Sequence, residues 1–146
     1  MKVKKKSRNL VYWLKRLLLV AVVSLPMFLY FVFLPLWRIH NPNWLNKAHP
    51  KEKLATLHRV LSIPLGPGHH DAFLLANDIG TKETIPYLIS ALRWQADNGP
   101  DDDIIVCTKI HCLDALKKLT NHDAGLNFSD WRKWQRTQSV SLCSDQ

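Results

Sequence analysis

A run of 21 uncharged residues, 17–37 (LLLVAVVSLPMFLYFVFLPLW), constrains this chain more than any other feature. As an α-helix the run would be about 32 Å long, close to the hydrocarbon thickness of a bilayer. Pro26 and Pro35 only kink a helix inside a bilayer, and Tyr12, Trp13 and Trp37 lie at its ends, where aromatic rings prefer the headgroups. A cleaved signal peptide would have a shorter apolar core that ends in small residues. We therefore predict an uncleaved transmembrane signal anchor at 17–37.

The basic residues are concentrated at one end of the chain. The net charge of +8 on its own would suggest a nucleic-acid partner. Residues 1–16, however, carry seven basic side chains and no acid, whereas 38–146 carry 13 basic and 12 acidic ones. Seven basic residues precede the anchor and four lie in the 20 residues after it. This excess predicts a cytoplasmic N-terminus, an extracytoplasmic domain and no nucleic-acid partner.

The rest of the chain has the apolar periodicity of helices and no sustained strand alternation, which predicts an all-α fold. Residues 38–50 are expected to form an irregular connector, 51–137 the helical domain and 138–146 a flexible tail. Phe73, Leu74 and Ile79 are expected to face inward, and Gly80 to end its helix in a left-handed conformation. The predicted helices are Lys51–Ile63, His69–Ile79, Thr81–Ala96 with Thr81 as its cap, Asp101 to about Leu119 after a turn at 97–100, and Ser129–Arg136 with Ser129 as its cap.

Three segments carry a resemblance to a known family: DAFLLANDIG-TKETIPYLISAL, then IIVCTKIHCLDALKKLT, and the closing LTNHDAGLNFSDWRKW. In this order they resemble the HEAT-like repeat family, whose members are α-solenoids of stacked helix pairs. The resemblance implies about two helical hairpins closed by a tryptophan-containing capping helix. Two tryptophans three residues apart can cover the apolar face that a last repeat leaves without a neighbour. The implied cap residues are Leu119, Thr120, Asp123, Gly125, Trp131 and Trp134.

The closing segment is similar to the end of bacterial HEAT-repeat proteins. Together with the predicted anchor, the resemblance implies a module in the bacterial inner membrane that binds another protein. Tyr87, Arg93 and Trp94 on the third predicted helix are the candidate partner-binding residues, because Tyr, Trp and Arg are favoured at interface centres. The chain has no phosphate loop or nucleophile elbow, so we expect no catalysis, no cofactor and no small-molecule substrate. Two alternatives remain open: a structural accessory subunit of a membrane complex, and a lyase-like or metal-binding HEAT-like enzyme.

The cysteines and histidines do not form a recognisable metal motif. Cys107 and His111 are four residues apart on one helix, a spacing that suits two metal ligands or a thiolate–imidazole pair. His69 and His70 are adjacent, and adjacent residues on a helix diverge by about 100°. We therefore predict no metal site, with His69, His70, Cys107 and His111 as the residues that come nearest to one. Cys112 is expected in the core, and Cys143 is available for an intermolecular disulfide if the domain faces an oxidising compartment.

Overall fold

The computed structural model describes residues 3–64, 68–95 and 103–144, and side chains for 12–64, 68–95 and 107–138. The predicted turn at 97–100 and the side chain of Cys143 lie outside these ranges. No strand occurs among the described residues, which confirms the all-α prediction. The helices are α1 (Val3–Phe28), α2 (Leu34–His40), α3 (Pro42–Lys47), α4 (Pro50–Leu61), α5 (His69–Ile79), α6 (Ile85–Leu92), α7 (Asp103–Thr120) and α8 (Phe128–Ser144).

The chain divides into a unit that ends at Leu34 and a unit that begins at Pro35. In the first unit, α1 leads into a π-helical turn, Leu29–Phe33, which lies between Pro26 and Pro35. The apolar helical stretch Tyr12–His40 is 29 residues long, which is long and apolar enough to cross a membrane. Side chains 12–31 are all exposed, as expected for a surface that lipid would cover.

The connector contains a helix, so the prediction of an irregular segment at 38–50 was wrong. Asn41 caps α3, since its side-chain oxygen accepts hydrogen bonds from the backbone N–H groups of Asn43 and Trp44. His49 caps α4 through Lys51 in the same way. A proline follows each cap as the first helical residue, where its fixed φ favours a helix start and its missing N–H costs nothing.

Helix α5 has the predicted bounds, but two expectations about it were wrong. Gly80 has φ −59° and is not left-handed. A glycine is needed there for space, because a Cβ would overlap the Ala76 carbonyl oxygen and lie 3.0 Å from Leu119. Leu74 is 40% exposed, while Ala72 and Ala76 are fully buried. Ala72 and Ala76 belong to the buried core, so their side of α5 faces inward rather than the side that carries Leu74.

The helices of the second unit pack in two layers. One layer holds α4, α6 and α8, in which α6 contacts both of the others. The second layer holds α5 and α7, which form the most extensive helix–helix contact; α4 also packs on α5, and α6 on α7. His70 lies against His111, and the Lys118 ammonium donates to the Asn77 carbonyl. Both pairs advance by seven residues in the same direction, so α5 and α7 run parallel.

Helices α6 and α8 differ in length from the predictions. A 3-10 turn, Lys82–Thr84, precedes α6, and Thr84 Oγ1 accepts the Thr81 N–H at 3.0 Å. Helix α6 ends at Leu92 rather than at Ala96. Helix α8 begins at Phe128, which makes Ser129 a helical residue instead of the cap, and continues to Ser144 through most of the expected flexible tail.

The fully buried core side chains include Leu57, Phe73, Leu88, Leu116 and Trp131.

Candidate functional site

The six residues implied as a C-terminal cap lie in and around one tightly bonded turn between α7 and α8. Thr120 Oγ1 donates to the Leu116 carbonyl and accepts the backbone N–H of His122. Asp123 accepts the Gly125 N–H at 2.9 Å and pairs with Lys117 Nζ at 2.8 Å. The hydrogen bond from Lys117, followed by that from Gly125, holds the pKa of Asp123 below its ordinary value. Gly125 has φ +95°, which a residue with a Cβ rarely adopts.

Trp131 is the largest side chain buried completely in the described core. Its indole Nε1–H donates to the Gly125 carbonyl at 2.9 Å, so burial leaves its polar atom satisfied. Trp134 meets Trp131 edge-on, with ring centroids 5.7 Å apart, and stacks on His122 at 5.6 Å. Leu119 is partly buried against the same core. These side chains pack together at the end of the bundle. The indole N–H of Trp131 is already hydrogen-bonded to Gly125, so it is not available to a substrate.

Tyr87 is a 37% exposed residue of α6 whose ring packs against a residue of α4. It stacks on His58 of α4, with centroids 4.2 Å apart and planes 11° from parallel. His58 Nε2 lies 3.0 Å from Thr84 Oγ1, which fixes the imidazole in turn. Burial lowers the pKa of His58, and the nearby carboxylate of Glu83 partly offsets this effect. An ordered aromatic ring of this kind loses little conformational freedom on binding a partner.

Arg93 and Trp94 lie immediately after α6 rather than within it. Both are exposed, and the Arg93 guanidinium lies over the Trp94 ring, 5.6 Å from its centroid. They are thus a neighbouring cation–π pair on the surface. Among the contacts of the described residues, Tyr87 is the one of these three that stacks on a second helix.

A groove of about 460 Å³ lies between the start of α6 and α8. Its apolar lining consists of Ile85, Pro86, Leu119 and Trp134, and its polar lining of Lys82, Thr120, Gln135 and Gln138. The volume falls in the range of pockets that hold small ligands or a few side chains of a peptide. The sequence analysis did not find this groove, because its two walls are more than 30 residues apart in the chain.

Two adjacent histidines at the start of α5 have opposite environments. His69 is buried, its Nδ1 lies 3.2 Å from Gln95 Nε2, and its ring packs against Phe73. Burial lowers the pKa of His69 more than neighbouring backbone carbonyls raise it. His70 is half-buried and points across to α7. His69 is therefore separate from the other three candidate ligands.

The packing of α5 against α7 brings His70, Cys107 and His111 together. One donor atom from each lies within 4.8 Å of the other two. Cys107 Sγ and His111 Nε2 are 3.3 Å apart, and the His70 and His111 rings meet edge-on with centroids 5.1 Å apart. Cys107 is exposed and both histidines are half-buried, so solvent reaches the group. The expectation of no metal site rested on spacing within single helices and missed this contact between helices.

Two residues that the sequence analysis did not select extend this cluster. Asp71 Oδ1 lies 3.1 Å from His70 Nδ1, and Asp71 Oδ2 lies 2.9 Å from His40 Nε2. The His40 Nδ1 is in turn 2.7 Å from the Leu36 carbonyl. Asp71 therefore connects the end of α2 to His70. Residues 40 and 71 are too far apart in the chain for local spacing to reveal the pair.

Comparisons with family models, curated proteins and solved structures find no match to this chain. The function is therefore inferred from the contacts between residues of this chain. Cys112 is fully buried, its thiol donates to the Leu88 carbonyl, and burial raises its pKa, so it is a core residue as expected.

Proposed function

We propose that this chain is a membrane-anchored, HEAT-like helical module that binds another protein. The proposal rests on the apolar groove between α6 and α8, beside a helix that presents an exposed but ordered tyrosine. The partner's segment would be an amphipathic helix or a short peptide that inserts apolar side chains between Pro86 and Trp134. Lys82 and the two glutamines on α8 would bind its polar backbone or side chains.

The proposed architecture is a short stack of two hairpins, α4–α5 and α6–α7, with α8 as the cap. Its support is the order of contacts: α4, α6 and α8 lie side by side in one layer, and α5 packs on α7 in the other. Parallel packing of equivalent helices from successive hairpins is the arrangement that a solenoid requires. A stack normally needs three or more repeats to bury a continuous core, and the fully buried Trp131 supplies part of what a third would add.

The apolar helix would hold this module at the membrane surface, with the basic N-terminus in the cytoplasm. Seven basic residues before the uncharged run, against four in the 20 residues after it, support that orientation. Confinement to the membrane raises the effective concentration of the module toward any partner in the same bilayer. A shallow groove with modest intrinsic affinity is then sufficient for binding.

A photo-crosslinking amino acid at position 87 in native membranes tests the proposal. Leu74 is the matched control, since it is as exposed as Tyr87 but lies on α5 in the other layer. A discrete adduct with a second protein at position 87, absent at position 74, is the expected result. Pro86→Lys should abolish it, because a charged side chain would enter the groove. No adduct at either position, or the same adducts at both, would overturn the proposal.

A further inference from the structure

We infer that His70, Cys107 and His111 form a binding site for one Zn²⁺ ion. The three residues lie on α5 and α7, away from the C-terminal end of α7 that lines the groove, and the inference is independent of any partner protein. It rests on the convergence of two imidazoles and a thiol from two helices, with donor atoms all within 4.8 Å of one another. Imidazole and thiolate are the ligands that zinc prefers in proteins.

The distances fit tetrahedral coordination after small side-chain rotations. Zinc–nitrogen and zinc–sulfur bonds of about 2.0 and 2.3 Å place ligand atoms roughly 3.3–3.6 Å apart. Cys107 Sγ and His111 Nε2 already have such a separation, 3.3 Å. The remaining gaps are at most 4.8 Å and involve half-exposed His70, whose ring has room to turn. The backbones of α5 and α7 can therefore stay in place when the ion binds.

Asp71 prepares His70 for this role. With the His70 Nδ1–H donating to Asp71 Oδ1 at 3.1 Å, the lone pair of Nε2 is available for a cation. A carboxylate behind a zinc-bound histidine fixes the tautomer and makes the imidazole a stronger ligand. His40 contacts the second oxygen of the same carboxylate at 2.9 Å, which restricts its rotation. His40 and Asp71 are thus linked in series and hold the third residue, His70, in position as a ligand.

Three protein ligands leave the fourth position of a tetrahedral zinc ion open. The site is half-exposed, so water can occupy that position and a cation can enter without unfolding. Because the ligands come from α5 and α7, the ion would also cross-link the two helices that share the most extensive contact. Binding should therefore stabilise the folded protein in proportion to the free zinc concentration.

The experiment is a titration of the chelator-treated full-length chain in mild detergent with zinc alone. One equivalent should bind, and the melting temperature should rise by about 5–15 °C at a hundredfold excess over Kd. Cobalt(II) in place of zinc should give the intense visible bands and sulfur charge-transfer absorption of a tetrahedral thiolate site. Cys107→Ser should remove that absorption, and His70→Gln or His111→Gln should weaken binding at least tenfold.

His49→Gln is the matched control, because His49 is exposed at the N-terminal cap of α4, outside the cluster. It should bind zinc as the unmodified chain does. Asp71→Asn keeps the size of the side chain but removes its charge, and should weaken binding about tenfold without altering the cobalt spectrum. No binding at micromolar zinc would overturn the inference, as would equal binding by Cys107→Ser. Retention of copper(I) but not zinc would overturn the choice of metal.

Discussion

The two ends of the parallel pair α5 and α7 carry different residue types, and their polar groups are used differently. Toward the C-terminal ends, Gly80 packs against Leu119. In the turn between α7 and α8, polar groups are hydrogen-bonded to one another, and the Trp131 indole N–H donates to the Gly125 carbonyl. Toward the start of α5, an imidazole faces a thiol and a second imidazole on a surface that solvent reaches. Internal pairing at one end gives stability, and donor atoms that face outward at the other end give a capacity to bind.

The largest expected effect at the closed end comes from Trp131→Ala. The substitution empties a fully buried volume and leaves the Gly125 carbonyl without its indole donor. We expect a loss of about 3–5 kcal/mol in the free energy of unfolding, measured by thermal melting in detergent. Trp94→Ala, which removes an exposed tryptophan, should change stability by less than about 0.5 kcal/mol. Equal melting temperatures for the two variants would show that α8 does not close the bundle.

A smaller effect is expected from Gly80→Ala, which adds a methyl group at the same end of the helix pair instead of removing contacts. The added methyl group would overlap the Ala76 carbonyl oxygen of α5, so the backbone at the end of α5 would have to shift, and it would also press on the Leu119 side chain of α7. We expect a loss of about 1–3 kcal/mol in the free energy of unfolding by denaturant titration. Ser90→Ala on the exposed side of α6 is the control and should be nearly neutral. An unaltered stability for Gly80→Ala would mean that the end of α5 has room for a side chain.

The sequence predicted local features well where a single helix determines them. The bounds of α5 and the inward position of Phe73 follow from helical periodicity. The extension of α8 to Ser144 was missed because its apolar pattern fades, although no glycine or proline interrupts it after Gly125. A helix continues in the absence of a breaker even where few side chains are buried.

Features that depend on contact between helices could not be predicted in the same way. Hydrophobicity favoured Leu74 as an inward residue, but the packing of the helices buries the smaller Ala72 and Ala76 and leaves Leu74 40% exposed. The cluster of His70 with Cys107 and His111 requires the parallel packing of two helices whose relative register no local pattern gives. Asp71 and His40 are brought together in the same manner. The candidate site is thus a property of the fold more than of any motif.

The smallest of the three expected effects separates the two adjacent histidines at the open end of the pair. Burial lowers the pKa of His69 below its ordinary value of 6.5. As the pH falls through about 6.5, the unfolded chain therefore takes up a proton before the folded chain does, and stability decreases until the lower folded pKa is passed. Above that pH both states are neutral at this residue, and its contribution to stability no longer changes.

With a chelator present to keep metal from His70, the melting temperature should accordingly drop by a few degrees between about pH 7.5 and pH 5. His58, whose pKa is also lowered by burial, acts in the same direction. His69→Gln should reduce this dependence to the part that His58 contributes, since the buried His69 then no longer titrates, whereas exposed His49→Gln should leave it as it is. A dependence that persists unchanged in His69→Gln would place the titrating group elsewhere and remove the distinction between a buried His69 and an outward-facing His70.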